Sequence, residues 1–329
     1  MFPPGYRIGH ATDPVGRTGC TVILPPSATI AAVDVRGGSP GTRETGVFAP
    51  GNLISEIHAV VLAGGSSFGL AASTGVAAWL RERGVGFSVG PARVPIVAGA
   101  VLFDLAVGDP EAFPDEAMGR RACDAATEDG VGRGPVGAGA GATVGKLLGA
   151  ARASPGGVGV ARVTLPGGEV VAALAAVNAF GDVVDPDSAA LLAGARAGVG
   201  FRSERALIAD AVIDSPLAGG HTTLVVVATT VPFDSGSLKR VAIESHDGIA
   251  RAVRPAHTIV DGDVVFALAP GGAAPPLLTR LRVGAAAAQA VAGAVADAVS
   301  APPPAGPDRR RQAAGSRGRR AKRGGIGRG

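Results

Sequence analysis

Residues 221–229, HTTLVVVAT, form an apolar run rich in β-branched side chains. Such a run predicts a buried β-strand that opens at Thr222. An amphipathic helix is predicted soon after it, over 235–253, with its apolar side chains on one stripe and its charged side chains elsewhere. A strand bounded by helices indicates a layered α/β domain.

The same alternation continues outward along the chain. Further strands are predicted at 20–24, 30–35, 58–64, 159–165, 169–180 and 263–269. Further helices are predicted at 70–83, 115–128, 186–197 and 276–299. No internal repeat is visible, so we expect a single large domain over 1–300.

Charge divides the chain near residue 300. Residues 301–329 hold nine of the 31 Lys and Arg residues and one of the 27 Asp and Glu residues. The sequence pI of about 9.7 therefore describes this tail, and the whole protein is not a basic nucleic-acid binder. The tail has few apolar residues and is predicted to be disordered, with a weak contact to polyanions as one possible role.

The composition also indicates the cellular compartment. The two cysteines, Cys20 and Cys123, exclude a disulfide framework and a cysteine-rich metal site. The first residues are not typical of a signal peptide, because no basic segment precedes an apolar run. Residues 283–300 are mostly Ala and Gly, and we expect them to be too short and too weakly apolar to span a membrane. We therefore expect a cytoplasmic protein with no membrane contact.

The glycine-rich segment 129–146 has the composition of a phosphate-binding loop but not its spacing. A P-loop needs a glycine five residues before its Gly-Lys pair and Ser or Thr after it. Here Gly145-Lys146 is preceded at that spacing by Ala140 and followed by Leu147. A relaxed dinucleotide motif also fits, but it lacks the preceding strand and the later acid. We interpret the segment as a structural loop.

A stronger motif lies at Gly65–Gly69, where GSSFG fits G-x-S-x-G between a predicted strand and a predicted helix. This is the context of a nucleophile elbow, with Ser67 as the nucleophile of a serine esterase and His246 or His257 as its base. The alternative is a tight glycine turn in which Ser66 and Ser67 cap the helix. The motif alone leaves both interpretations open.

Asp261 and Asp263 are two residues apart, so in an extended chain their carboxylates face the same side. Two crowded carboxylates repel each other unless a proton or a cation is shared between them. Spacing alone favours a solvated turn.

Seven blocks, in chain order, carry a resemblance to a known family. They are GHATD (9–13), LAGGSSFGL (62–70), VPIVAGAVLFDL (94–105), VGAGAGATVGK (136–146), AAVNAFGDV (175–183), HTTLVVVAT (221–229) and HDGIARAVRPAHTIVDGD (246–263). The chain resembles the self-processing N-terminal-nucleophile hydrolases that include L-aminopeptidase/D-amidase/esterase, β-peptidyl aminopeptidases and the 6-aminohexanoate (nylon) oligomer endo-hydrolase. The likeness covers nearly all of 5–300 and is closest to the threonine-nucleophile branch.

The resemblance implies a fold and a processing site. The implied fold is α/β, an αββα-layered sandwich of the L-aminopeptidase/D-amidase and ornithine acetyltransferase type. The implied cut falls between His221 and Thr222 and leaves a larger subunit, 1–221, and a smaller one with its core at 222–300. Thr222 would then carry a hydroxyl nucleophile and a free α-amine, whose usual pKa of about 7.7–8.0 suits a general base.

The resemblance also implies roles for buried polar groups. Asp261 and Asp263 would hold the terminal ammonium, Lys146 would lie near the nucleophile, and Asn178 would donate to the oxyanion. Without the resemblance, Asn178 is a strand-end turn former and Lys146 is a solvated cation.

In the same comparison, Gly64–Gly69 becomes a scaffold turn. Ser66, Ser67, Phe68 and Phe103 then line a substrate pocket.

Two positions depart from the family pattern. Position 221 is His, where close relatives carry Asn, so its side chain either slows or assists the cut. Some family members place a tyrosine near the oxyanion. The nearest corresponding position in this chain is Phe103, which has no hydroxyl.

The activity implied is hydrolysis of amide bonds in small peptides or peptide-like oligomers, with no cofactor and no metal. The five histidines have no metal-ligand spacing. Family members form homo-oligomers, often tetramers, and we expect the same here. Three alternatives stay open: a serine esterase using Ser67, an uncleaved non-catalytic relative whose tail binds polyanions, and an acyltransferase.

Overall fold

The computed structural model of the chain describes residues 2–198, 202–209 and 220–300. The tail predicted to be disordered, 301–329, lies outside the described residues.

The strands predicted from the apolar runs are all present, and further strands that the pattern missed, most of them short, lie before and between them. In the first part of the chain they are β1 (Arg7–Asp13), β2 (Thr18–Leu24), β3 (Thr29–Val35), β4 (Gly41–Arg43), β5 (Ala59–Ala63), β6 (Phe87–Val89), β7 (Ala92–Val94) and β8 (Val97–Val101). They continue as β9 (Thr143–Val144), β10 (Ser154–Pro155), β11 (Gly157–Thr164), β12 (Val170–Asn178), β13 (Asp182–Val184), β14 (Leu191–Ala193), β15 (Thr222–Thr229), β16 (Val253–Arg254) and β17 (Val264–Pro270).

The α-helices of the described residues are α1 (Ala71–Glu82), α2 (Glu116–Asp124), α3 (Ser203–Ile208), α4 (Ser235–Ala252) and α5 (Leu277–Ser300). Aspartates cap two of them: Asp115 accepts from Met118 N at 2.7 Å, and Asp234 accepts from Ser237 N at 3.0 Å. Helix α2 ends four residues earlier than predicted, because Thr127 pairs with Ile8 of β1 instead of continuing the helix. Short 3₁₀ turns occur at Thr45–Phe48, Ser66–Leu70, Gly137–Gly139 and Ala150–Arg152.

Two five-stranded sheets form the centre of the domain. The first has the strand order β1-β2-β5-β8-β4 and the second has the order β11-β12-β15-β17-β3. Within each sheet all neighbours are antiparallel except one parallel pair, which is β5–β8 in the first and β15–β17 in the second. One apolar cluster fills the space between the sheets, and two further clusters join the outer faces to the helices.

The outer clusters define the layers. Helices α1 and α2 cover the first sheet, whereas α4 and α5 cover the second. The predicted αββα sandwich is therefore confirmed. Strands β12 and β15 are buried on both faces, which explains why their sequences are continuous apolar runs without alternation.

Helix α5 corrects the expectation that its segment is too short and too weakly apolar for a membrane span. It has 24 residues, with a mean hydropathy of 1.4 over its most apolar window, and is long and apolar enough by length and composition. In the fold, however, 61% of that window is buried against the protein. Small residues allow this packing, since a Cβ on Gly159 of β11 would stand 2.2 Å from the Ala294 carbonyl oxygen. The Ala-rich composition therefore serves close packing inside the sandwich.

The helix predicted over 186–197 is wrong. The Asp185 carboxylate accepts from the backbone N–H of Asp187 and Ser188, at 3.2 and 2.7 Å, and this closes a turn. Ala189 then takes a left-handed φ of 58°, and Leu191–Ala193 pairs with β13. Local side-chain hydrogen bonding and strand pairing outweigh the helix propensity of the alanines.

Candidate active site

The register of the second sheet brings distant residues together. Thr222, the first residue of β15, lies opposite Asn178, the last residue of β12. A parallel bridge between His221 and Asp261 places the turn before β17 beside the start of β15. Five residues singled out from the sequence gather at this end of the sheet, and at most 8% of any of them is exposed. They are Lys146, Asn178, Thr222, Asp261 and Asp263.

The Thr222 hydroxyl lies against the peptide bond that precedes it. It donates to the carbonyl oxygen of His221, with Oγ 2.5 Å from that oxygen. The same carbonyl oxygen accepts the backbone N–H of Gly262 at 2.8 Å. A donor on this oxygen polarises the carbonyl and favours attack at its carbon. A Cβ on Gly262 would stand 2.8 Å from Thr222 Oγ, so a glycine is needed for this approach.

Lys146 and Asn178 form a buried polar network beside the nucleophile candidate. Lys146 Nζ donates to Asn178 Oδ1 at 2.7 Å, to the Asn178 carbonyl at 2.9 Å and to the Gly220 carbonyl at 3.1 Å. Asn178 Nδ2 donates to the carbonyls of Phe103 and Gly220, at 3.0 and 3.1 Å. The interpretation of Lys146 as a solvated cation is therefore wrong, and the Asn178 side chain organises the site.

Burial changes the proton affinity of Lys146. Loss of hydration lowers its pKa from 10.5 to about 7, although the negative charges of Asp261 and Asp104 act in the opposite direction. An amine with this pKa exchanges protons near neutral pH. Lys146 therefore has the proton affinity of a general acid or base as well as a hydrogen-bonding role.

The acid pair is buried, which excludes the solvated turn favoured by spacing alone. Asp261 accepts the backbone N–H of Phe180 at 3.2 Å, and the N–H and hydroxyl of Thr258 at 3.0 and 2.5 Å. Asp263 accepts the backbone N–H of Thr223 at 2.6 Å. Burial and the neighbouring charge of Asp263 raise the pKa of Asp261, and a cation placed between the two acids would relieve this repulsion.

His221 has a neutral ring. The ring packs 5.2 Å from the ring of Phe180, centroid to centroid. Burial lowers its pKa to about 3, and the charge of Lys146 acts in the same direction. The imidazole therefore carries no charge near neutral pH.

A cavity of about 310 Å³ opens beside Thr222. Its wall consists of Ser39, Pro40, Gly41, Ser66, Ser67, Val101, Leu102, Phe103, Gly220 and Thr222. Three of the four side chains expected in a substrate pocket lie in this wall. Phe68 does not line it: its ring packs 5.4 Å from that of Phe113, and 59% of the residue is exposed.

The serine motif forms a sharp turn without a catalytic triad. Gly65 and Ser66 have left-handed φ values of 76° and 54°. The two histidines considered as bases have other partners, since His246 Nε2 contacts the Asp34 carbonyl at 3.1 Å and His257 Nδ1 contacts Asp263 at 2.7 Å. Neither Ser66 nor Ser67 caps the helix with its side chain. Among the described residues, the tight glycine turn is therefore present without serine caps, and the serine triad is absent.

The glycine-rich segment packs against the sheets. A Cβ on Gly137 would stand 2.3 Å from Thr21 Oγ, and one on Gly139 would stand 2.5 Å from Val158 N. The interpretation as a structural loop therefore agrees with the packing. Within 2–198, 202–209 and 220–300, no group of three or more His, Cys, Asp or Glu residues is placed to hold a metal ion.

Sequence reasoning missed three contributors to the site and gave a fourth, His257, a different partner. Gly262 supplies a backbone donor, and the Gly220 carbonyl accepts from both Lys146 and Asn178. Asp104 is a buried acid that holds Gly65 N at 2.7 Å. His257 pairs with Asp263. Two sequence features could have indicated these roles: Gly262 lies between Asp261 and Asp263, and His257 lies in the same block, 246–263.

Comparison with known proteins finds relatives along most of the chain. The profile of peptidase family S58 matches residues 4–310. An uncharacterised aminopeptidase of Mycobacterium tuberculosis (strain ATCC 25618 / H37Rv) is 43% identical over 333 residues, covering 92% of this chain and 94% of the relative. A 6-aminohexanoate-oligomer endohydrolase of Kocuria sp. (strain KY2) is 32% identical, covering 80% of this chain and 73% of the relative.

Solved structures share the fold at lower identity. The L-aminopeptidase D-Ala-esterase/amidase of Ochrobactrum anthropi, described as a variant of the Ntn-hydrolase fold, has a TM-score of 0.66 at 21% identity. That match covers 89% of this chain and 83% of the other. A β-aminopeptidase of Burkholderia sp. has a TM-score of 0.64 at 22% identity, covering 90% and 84%.

Proposed function

Because the chain belongs to peptidase family S58 and is a hydrolase of amide bonds, we propose that Thr222 is its nucleophile and that the chain cuts itself between His221 and Thr222. The observation that carries this proposal is the convergence of the Thr222 hydroxyl and the Gly262 N–H on the carbonyl oxygen of His221.

The cut proceeds as an acyl shift. Thr222 Oγ attacks the carbonyl carbon of His221 and forms a C–O bond, while the Gly262 N–H stabilises the charge on the carbonyl oxygen. The C–N bond then breaks, and the proton lost by the hydroxyl goes to the leaving nitrogen of Thr222. Water hydrolyses the resulting ester, which releases the His221 carboxylate and leaves Thr222 with a free α-amine.

Turnover repeats this chemistry on a substrate. The α-amine of Thr222 takes the proton of its own hydroxyl, and Oγ attacks the substrate carbonyl. The cavity beside Thr222, with hydroxyls from Ser39, Ser66 and Ser67 and the ring of Phe103, receives the acyl part. Both N–H groups of Asn178 Nδ2 are engaged in the uncleaved chain, by the carbonyls of Phe103 and Gly220. Asn178 becomes a donor to the oxyanion once the cut next to Gly220 releases one of them, and Asp261 and Asp263 are proposed to offset the charge of the terminal ammonium. The C–N bond of the substrate amide breaks, and the proton held by the α-amine passes to the leaving amine. Water then hydrolyses the acyl-enzyme, which releases a carboxylate and restores the Thr222 hydroxyl.

The proposed substrates are small peptides or peptide-like oligomers. This rests on the names of the relatives, which include an aminopeptidase and an oligomer endohydrolase, and on the modest size of the cavity. We further propose a cytoplasmic homo-oligomer of the cleaved unit.

Intact-mass spectrometry of the purified protein tests the proposal. Two chains are expected, with the new N-terminus at Thr222, and Thr222→Ala should remain one chain with no hydrolase activity. Thr164→Ala, which removes a hydroxyl from the exposed end of β11, is the matched control and should be cleaved normally. A wild-type chain that stays whole and loses esterase activity on Ser67→Ala would refute the proposal in favour of a serine esterase.

A further inference from the structure

Two nitrogen atoms of His257 contact one carboxylate oxygen of Asp263. Asp263 Oδ2 lies 2.7 Å from His257 Nδ1 and 3.1 Å from the His257 backbone nitrogen. The other oxygen, Oδ1, accepts the N–H of Thr223 at 2.6 Å. Asp263 therefore connects His257 to the residue that follows the nucleophile, and with 2% exposure it has little access to water.

The far side of the His257 ring faces helix α4. His257 Nε2 is 3.4 Å from the His246 carbonyl, and the two imidazoles meet edge to face at 4.8 Å. His246 contacts Asp34, which pairs with Lys239 and Arg36. The positive charge of Arg36 acts to lower the pKa of His257. Asp263 is thus the acid in direct contact with the His257 ring.

This setting shifts the pKa values of the two histidines in opposite directions. Burial of the His257 ring opposes protonation, but the hydrogen bond and charge of Asp263 raise its pKa above the usual value. Burial lowers the pKa of His246 to about 4. A protonated His257 ring is thus a cation held 2.7 Å from the carboxyl group of Asp263.

We propose that His257 is a positioning residue whose imidazolium offsets the charge of Asp263 and so keeps the terminal amine of Thr222 able to lose its proton near neutral pH. This inference rests on the proposed function. Two buried carboxylates beside an amine favour its ammonium form and raise its pKa, and an ammonium is not a general base. A cation on one of the carboxylates limits that rise.

The test separates charge from hydrogen bonding. His257→Asn keeps a side-chain N–H donor for Asp263 without a charge, whereas His257→Ala removes both. The pKa of the Thr222 amine is measured directly, from the pH dependence of its acetylation by trace acetic anhydride, read by peptide mass spectrometry. The acid limb of kcat/KM on an aminoacyl p-nitroanilide gives a second measure.

Both variants should raise the amine pKa and the acid limb by about one unit. Above that limb, His257→Asn should recover kcat to within a few-fold of wild type, because its donor still fixes Asp263. His58→Asn, a change at a half-buried histidine outside the site, should leave both values unchanged.

An unchanged amine pKa in His257→Asn overturns the inference, since His257 then acts only through hydrogen bonding. If His257→Ala does not fold or does not cleave itself, the amine pKa of His257→Asn still tests the inference. Failure of the proposed function is distinguishable, because the wild-type chain would then show no Thr222 N-terminus at all.

Discussion

The backbone N–H of Gly262 donates to the carbonyl oxygen of His221 at 2.8 Å. The turn between the two site acids therefore serves a second purpose, since it presents a main-chain donor to the peptide bond proposed for cleavage. The contact depends on a residue without a side chain, because Gly262 lies against both Thr222 Oγ and the Ser39 carbonyl.

Gly262→Ala should slow self-cleavage. The new Cβ would stand 2.7 Å from Ser39 O and 2.8 Å from Thr222 Oγ. Relief of such overpacking costs about 1–3 kcal/mol, which corresponds to roughly a 5- to 150-fold slower rate if it falls on the transition state. The time course of chain separation on denaturing gels measures it. Gly46→Ala is the control, because no atom lies within 4 Å of its new Cβ, and equal rates in the two variants would contradict the role of Gly262.

Asn178→Ala should reduce kcat by roughly 100- to 1,000-fold, the usual loss for one oxyanion donor. The change also removes the Oδ1 acceptor that anchors Lys146 at 2.7 Å. Steady-state kinetics of the cleaved protein measures the effect, with circular dichroism to verify folding. Asn52→Ala, in an exposed loop, should keep wild-type kcat. A loss below threefold in Asn178→Ala would remove Asn178 from the mechanism.

His221→Asn should leave the shape of the pH profile of self-cleavage unchanged between pH 5 and pH 8. Burial lowers the pKa of His221 to about 3, so the ring is neutral across this range and contributes no titration. Intact-mass time courses at several pH values measure the rate. An inflection between pH 6 and pH 7 that is present in the wild type and absent in the variant would show that the imidazole takes part as an acid.

Lys146 should make folding stability depend on pH. Its folded-state pKa of about 7 lies below the usual 10.5, so between these values the unfolded chain binds more protons than the folded chain. The free energy of unfolding therefore rises with pH across this window, by up to about 1.4 kcal/mol per unit of pKa difference. In a Thr222→Ala background, the stability of the Lys146 chain relative to Lys146→Met should increase by more than about 1 kcal/mol from pH 7 to pH 10. Urea unfolding measures it, and a constant difference would mean that Lys146 has an ordinary pKa.

Much of the fold was readable from periodicity. The runs that became β12, β15 and β17 are apolar along their length because these strands are covered on both faces, and the seven blocks pointed to an αββα hydrolase. The prediction of a helix over 186–197 failed because alanine content indicates helix only where no side chain offers the backbone a competing hydrogen bond, as Asp185 does.

The residues of the candidate site were selected from the sequence through family resemblance, since spacing alone favoured a solvated acid pair and a solvated lysine. Their burial was not readable, because it depends on the contact of β12, β15 and β17 at one end of a sheet. The roles of Gly262 and Gly220 were also invisible, since a backbone N–H or carbonyl has no identity in a sequence.

The sequence by itself determined the layers, the strand at Thr222 and the set of polar residues available to the site. Only the tertiary structure decided their chemistry. Removal from water lowers the pKa of Lys146 and raises that of Asp261, and strand register sets which carbonyl each donor reaches. Hydration and distance are properties of the packed chain, and no pattern of residues along the sequence specifies them directly.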